Sequence, residues 1–158
     1  MVVVADSSPL RYLIVLGEQD LLPELFGEAW IPPAVLGELS SSSTPLAIRT
    51  FLQCPPGWLR VRDPRSETVE SIAVDLDRGE RAALALDREI NADLVLLDDA
   101  AARSEARSLG LRITGAVGLL RLAAERGLID VPAIVGQLRR SGFYLSDSLI
   151  RTAFGEWP

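Results

Sequence analysis

The sequence predicts an α/β fold of three layers, with helices on both faces of a central, mostly parallel sheet, and three observations predict it. Short apolar runs of strand length alternate with segments of helical periodicity along the chain. Two of those runs, Val2–Ala5 and residues 93–97, are apolar almost throughout, as strands buried on both faces are. Both lead into aspartate and then into residues that start a helix. At 158 residues the chain reads as one domain, 1–158, large enough to bury a core around a sheet.

The elements follow in order from local signals. Val2–Ala5 is the first strand, and Asp6-Ser7-Ser8-Pro9 feeds a helix capped by serine and started by proline. Leu10, Leu13, Ile14 and Leu16 form its apolar stripe, and Gly17 stops it. Leu21–Phe26 predicts another short helix and residues 29–31 a short second strand. Pro32-Pro33 opens the next helix, which turns Val35, Leu36 and Leu39 to the core and leaves Glu38 on another part of its surface. Residues 40–44 read as loop, 45–53 as helix and 54–57, with Pro55-Pro56-Gly57, as a break. A third strand at 58–61, an amphipathic segment at 66–76 and a strong helix at 77–90 come next. The strand at 93–97 ends in Asp98-Asp99 and is followed by an alanine-rich helix to Leu109. A last short strand at 112–114 and helices at 116–126, 131–141 and 146–154 close the chain.

The chain contains no histidine and no lysine, so all 16 basic residues are arginine. That removes whole classes of chemistry. Ser-His-Asp and Cys-His mechanisms need an imidazole, HExxH zinc sites need two histidines, and a P-loop needs its lysine. Receiver domains, which also present aspartates at strand ends, use a lysine beside them. A two-carboxylate glycosidase survives the missing histidine, but three Trp, two Tyr and four Phe make poor aromatic platforms for sugars. An enzyme built from this chain runs on carboxylates, hydroxyls and arginine, and carboxylates suit hard divalent cations such as magnesium or manganese. Cys54, the single cysteine, allows no intrachain disulfide, fits a reducing, cytoplasmic setting and reads as structural filler. No apolar stretch approaches the roughly 18 residues a membrane span needs.

The net charge of −6 argues against wholesale adhesion to nucleic acid, but the charge is uneven. Residues 1–99 hold 8 Arg against 17 acids, a balance of −9, and residues 100–158 hold 8 against 5, a balance of +3. The C-terminal third therefore offers phosphate contacts, unless Arg103, Arg107, Arg121, Arg139 and Arg140 are solvated helix faces, which the sequence allows equally.

In an open parallel sheet, ligands bind beyond the carboxyl ends of the strands, where Asp6 and Asp98-Asp99 fall. Glu38, one turn into the helix after the second strand, and Glu80, in the first turn of a helix opening near Gly79, are placed to face the same crevice. Crowded carboxylates repel one another unless a cation neutralises them. Read singly, each has another explanation: Asp6 suits a helix cap, Glu38 a surface glutamate, Glu80 an acid favoured by a helix dipole, and Asp98-Asp99 a second cap. Their joint placement is what points to a metal site.

Four stretches, VVVADSSPL, IPPAVLGEL, LDRGERAALAL, and ADLVLLDDAAAR followed by LGLRITGAVGLL, together resemble the PIN-domain ribonucleases, which include VapC-type toxins of bacterial toxin-antitoxin pairs. The last stretches look most like a PIN subfamily of uncharacterised function. The resemblance spans nearly the whole chain and implies a PIN-like three-layer fold. Position by position it implies Asp6 as the first-strand aspartate, Glu38 as the helix glutamate, Glu80 as the third acid and Asp99 as the last aspartate. Asp98 stays a second ligand candidate, because Leu97 stands where many relatives have threonine. Ser8 and Thr114 match small polar positions and are supporting residues. One or two magnesium or manganese ions, water as the attacking group and RNA as the substrate are implied too, with Arg11, Arg81 or Arg103 on flanking phosphates. So is a toxin whose antitoxin enters the acidic groove. The alternative is a catalytically inactive PIN-fold module that pairs with another protein. Apolar stripes at 115–124 and 131–138 suit the core as well as a dimer face, and a homodimer is expected.

Overall fold

A computed structural model describes residues 1–140 and 146–155. Its strands are β1 (Val2–Ala5), β2 (Glu28–Ile31), β3 (Leu59–Val61), β4 (Leu94–Leu96) and β5 (Ile113–Thr114). They form one sheet in the order β3-β2-β1-β4-β5, and each neighbouring pair is parallel. Helices α1 (Ser7–Leu16), α2 (Leu21–Phe26), α3 (Pro33–Leu39) and α4 (Leu46–Gln53) fall in the first half of the chain. They are followed by α5 (Ser66–Glu70), α6 (Arg78–Ile90), α7 (Ala100–Ser108), α8 (Ala116–Glu125), α9 (Val131–Arg140) and α10 (Asp147–Phe154). Among the described residues no helix is long and apolar enough to cross a membrane.

The two-residue period of the strands makes the layers. Val3 and Ala5 of β1, Ala29 and Ile31 of β2 and Leu96 of β4 face a core that also takes Leu10, Leu13, Leu39, Ile48, Leu119 and Leu138. Val4, Val95 and Leu97 face the opposite core, built on Ala83, Leu84, Leu86, Ala102 and Ala106 of α6 and α7. Leu119, Leu120, Ala123, Ile134 and Leu138, the apolar stripes of α8 and α9, are spent inside the first core.

Most element ends fall within one residue of expectation, and two boundaries differ by more. The helix after β1 begins at Ser7, with Asp6 rather than serine in the cap position and Pro9 third in the helix. The amphipathic segment at 66–76 is helical only over Ser66–Glu70. There the Ser71 hydroxyl donates to the Thr68 carbonyl at 2.6 Å, and the Arg81 guanidinium takes the carbonyls of Val69 and Ile72, so the helix is not continued. Ser141, expected to end α9, lies outside the described residues. Cys54 is exposed at the end of α4 and fills no core space, contrary to expectation.

The site is positioned by the strand order. The chain runs outward from β1 to β2 and β3, then returns to the other side of β1 for β4 and β5, so strand order reverses between β1 and β4. A crevice forms at the carboxyl ends of strands at such a switch point.

Candidate functional site

Asp6 follows the last residue of β1, and its backbone N–H donates to the Leu96 carbonyl at 3.1 Å, so it lies against the end of β4. Only 4 % of it is exposed, and its Oδ1 is buried with no hydrogen-bond partner. The sequence explains part of why Asp6 makes no cap bond to its helix. A cap carboxylate accepts from the second or third amide of its helix, and here the third residue is Pro9, which has no N–H. Burial pushes the Asp6 carboxyl up to about 7; the Ser7 amide opposes this, and the charges of Glu38, Asp77 and Glu80 add to it.

Glu38 enters from α3, and its carboxylate lies on the bare Cα of Gly79 in the first turn of α6. Glu80, 8 % exposed, belongs to the same turn. Asp77 caps α6 by accepting the Glu80 N–H at 2.8 Å, while Glu80 Oε2 accepts the Asp77 N–H at 3.1 Å, a reciprocal capping box. Glu80 is raised by burial, the Asp77 amide opposes this, and Asp77, Asp99 and Glu38 push it up further. Asp77 is the acid that sequence reasoning passed over. Its signal was present, since Asp-x-x-Glu at the head of an apolar-striped helix is the capping-box pattern.

The paired aspartates after β4 part company. Asp99 caps α7, its Oδ2 accepting from Ala101 and Ala102 at 2.9 and 3.0 Å, and its charge acts on Glu80. Oδ1 takes part in neither bond. Asp98 turns toward β5 and α8, where Oδ1 accepts the Ala116 N–H at 2.9 Å and lies over Gly115, a Cβ at that glycine falling 2.5 Å away. Burial raises the Asp98 carboxyl, against the Ala116 amide and the Arg103 charge, and Asp98 in turn raises the Tyr12 hydroxyl after burial. Asp98 Oδ2 is buried without a hydrogen-bond partner, as Asp6 Oδ1 is, and neither Asp98 nor Asp99 is among the charges that act on Asp6.

Ser8 is exposed in the first turn of α1, and Thr114 ends β5 with its Oγ1 packed over Gly118. Two of the three arginines considered for phosphate contacts are engaged: Arg81 with the carbonyls of Val69 and Ile72, and Arg103 with that of Leu97 at 2.9 Å. Arg11 makes no hydrogen bond or ion pair among the described residues. In the C-terminal third, Arg121 pairs with Glu125 at 2.9 Å and Arg139 with Asp147 at 3.1 Å, which reduces the basic face.

Asp6, Glu38, Asp77, Glu80 and Asp99 thus form one electrostatically linked group at the switch point. Among the described residues no three acidic side chains already converge on one ion-sized point. The donor set suits a hard divalent cation, since it is all carboxylate, and Asp6 Oδ1 is a buried acceptor without a donor. No curated protein matches the chain. The family DUF3368, described as a PIN domain, matches residues 2–157, and PIN domains are generally nucleases that use divalent metals. With the five-stranded parallel sheet and a match over nearly its whole length, this chain belongs to the PIN-domain family.

Proposed function

We propose that the protein is a cytoplasmic, divalent-metal-dependent endoribonuclease that hydrolyses RNA phosphodiesters. The observation that carries the reading is Asp6 Oδ1, a buried carboxylate oxygen left without a donor among the charges of Glu38, Asp77 and Glu80. Leaving such an oxygen unpaired costs about 1–3 kcal/mol, more if charged, which a bound cation offsets. Asp6, Glu38, Glu80 and Asp99 would hold magnesium or manganese. When bound, the ion lowers the pKa of a water and neutralises charge on the phosphoryl oxygens.

The chain's own residues supply the rest. Asp99 keeps Oδ1 for a ligand while Oδ2 holds α7, and the capping box keeps Glu80 turned back on its own helix start. Asp98 holds the start of α8 in place. Arg11, on α1 beyond Asp6, takes a flanking phosphate. The choice of RNA, an antitoxin partner and a role as the toxin of a toxin-antitoxin pair come from the resemblance to PIN-domain ribonucleases and VapC-type toxins, and the homodimer from the apolar stripes at 115–124 and 131–138, whose buried residues also serve the core. The test is cleavage of structured and single-stranded RNA with magnesium or manganese. Chelation by EDTA should stop cleavage and readdition of metal should restore it; cleavage that continues in EDTA contradicts the reading. Asp99→Asn should abolish cleavage in a folded protein.

A second reading is a PIN-fold module that pairs with a protein and cleaves nothing. It is favoured by the capping bonds of Asp99 and Glu80, which a purely structural role also explains. Calorimetry that finds no divalent-metal binding, with tight binding to the product of a neighbouring gene, would select it.

A further inference from the structure

Gly79 is the second residue of α6 and carries no unusual backbone conformation that would require glycine. Helix propensity favours nearly any other residue at such a position. What the position does require is space. A Cβ there would collide with Glu38 Oε1 and lie 2.8 Å from both Glu38 Cδ and Oε2. Gly79 is itself buried, and the carboxylate of the half-buried Glu38 lies over it at the start of α6. The next residue is Glu80, whose own carboxylate is turned back on the same turn by its bond from the Asp77 amide. One turn of helix therefore sets two acids from two different elements, one by a hydrogen bond and the other by a missing side chain.

We infer that Gly79 is a positioning residue for the carboxylate site: its bare Cα seats the Glu38 carboxylate beside Glu80. The inference rests on the metal-site reading proposed above. A side chain at position 79 drives the Glu38 carboxylate off its seat, and the site loses one donor while the other acids stay where they are. A glycine serving only close helix packing behaves differently, because a side chain there would lower stability and leave ion binding untouched.

A double-mutant cycle on the purified full chain decides it, with Mn2+ titrated by calorimetry and thermal unfolding followed in parallel. Gly79→Ala and Glu38→Gln are each expected to weaken Mn2+ binding about tenfold or more, the range found when a ligand's support is removed. The double variant is expected to bind no more weakly than Glu38→Gln alone, since both changes remove the same donor. Wild-type affinity in Gly79→Ala, or losses that multiply in the double variant, would overturn the inference. If Gly79→Ala unfolds, adding Glu38→Ala must restore the fold, because it removes the atoms that a Cβ meets; failure to restore it would also overturn the inference. If the wild-type chain takes up no Mn2+, the metal reading fails, and the unfolding arm still decides whether Gly79 seats Glu38: Glu38→Ala must then raise the unfolding temperature of Gly79→Ala.

Discussion

At the scale of residues, three aspartates that follow strands are separated by what their oxygens can reach. Asp6 precedes a helix whose third residue is proline, which removes one of the two amides a cap can take, and its Oδ1 has no partner. Asp99 gives one oxygen to two amides of α7, and Asp98 gives one to the start of α8. Asp98 Oδ2 is buried without a partner too, but the resemblance prefers Asp99, so Asp98→Ala should lower stability by about 1 kcal/mol through the lost bond to the start of α8 while Mn2+ binding stays at the wild-type level. Denaturant unfolding and calorimetry measure the two, and a large loss of affinity would return Asp98 to the ligand set. Asp87 makes a separate prediction. It is 3 % exposed on α6, its Oδ1 has no partner, and burial alone raises its carboxyl to about 7. Because the folded state binds this proton more tightly than the unfolded chain, its contribution is present below about pH 4 and is lost as pH rises toward 7. Asp87→Asn should thus shrink the difference in unfolding free energy between pH 5 and pH 8 in metal-free protein, leaving the share that Asp6 contributes. An unchanged difference would show that Asp87 does not titrate in that window.

At the scale of elements, the first turn of α6 links the fold to the site. Asp77 closes the helix start and holds Glu80 through the reciprocal bonds. Asp77→Ala should cost about 1 kcal/mol in stability and weaken Mn2+ binding as well, because Glu80 loses its fixed start. A stability loss with unchanged affinity would reduce Asp77 to a cap alone. This turn also shows where sequence was readable. The sequence predicts Glu80 in the first turn of a helix opening near Gly79, but it makes Asp77 a helical residue rather than the cap that fixes Glu80. The contact of Glu38 with Gly79 joins residues 41 positions apart, and no local pattern encodes it. The early end of α5 was hidden for a like reason, since it depends on Arg81 reaching back to Val69 and Ile72.

At the scale of the molecule, β1 and β4 were legible because strands buried on both faces are apolar at successive positions. Val3, Val4 and Ala5 are fully buried, as are Val95 and Leu96. The strand order was not legible, because spacing along the chain does not say which strands pair. It is the register Ala5↔Leu96 that lays Asp6 along the end of β4 and gives the four acids a common edge. Leu96→Ala, at the centre of that sheet, should cost about 2–5 kcal/mol and lower stability and activity together. Denaturant unfolding measures the cost, and a loss under about 1 kcal/mol would mean the site does not stand on a packed sheet. The central claim is that Asp6 keeps a buried, unpaired oxygen for a metal ion used in phosphodiester hydrolysis. Cleavage of one RNA across a Mn2+ titration, by the wild-type chain and by folded Asp6→Asn, tests it most directly. The account predicts Mn2+-dependent cleavage by the wild type and none by Asp6→Asn at any Mn2+ concentration; equal cleavage by both would contradict it.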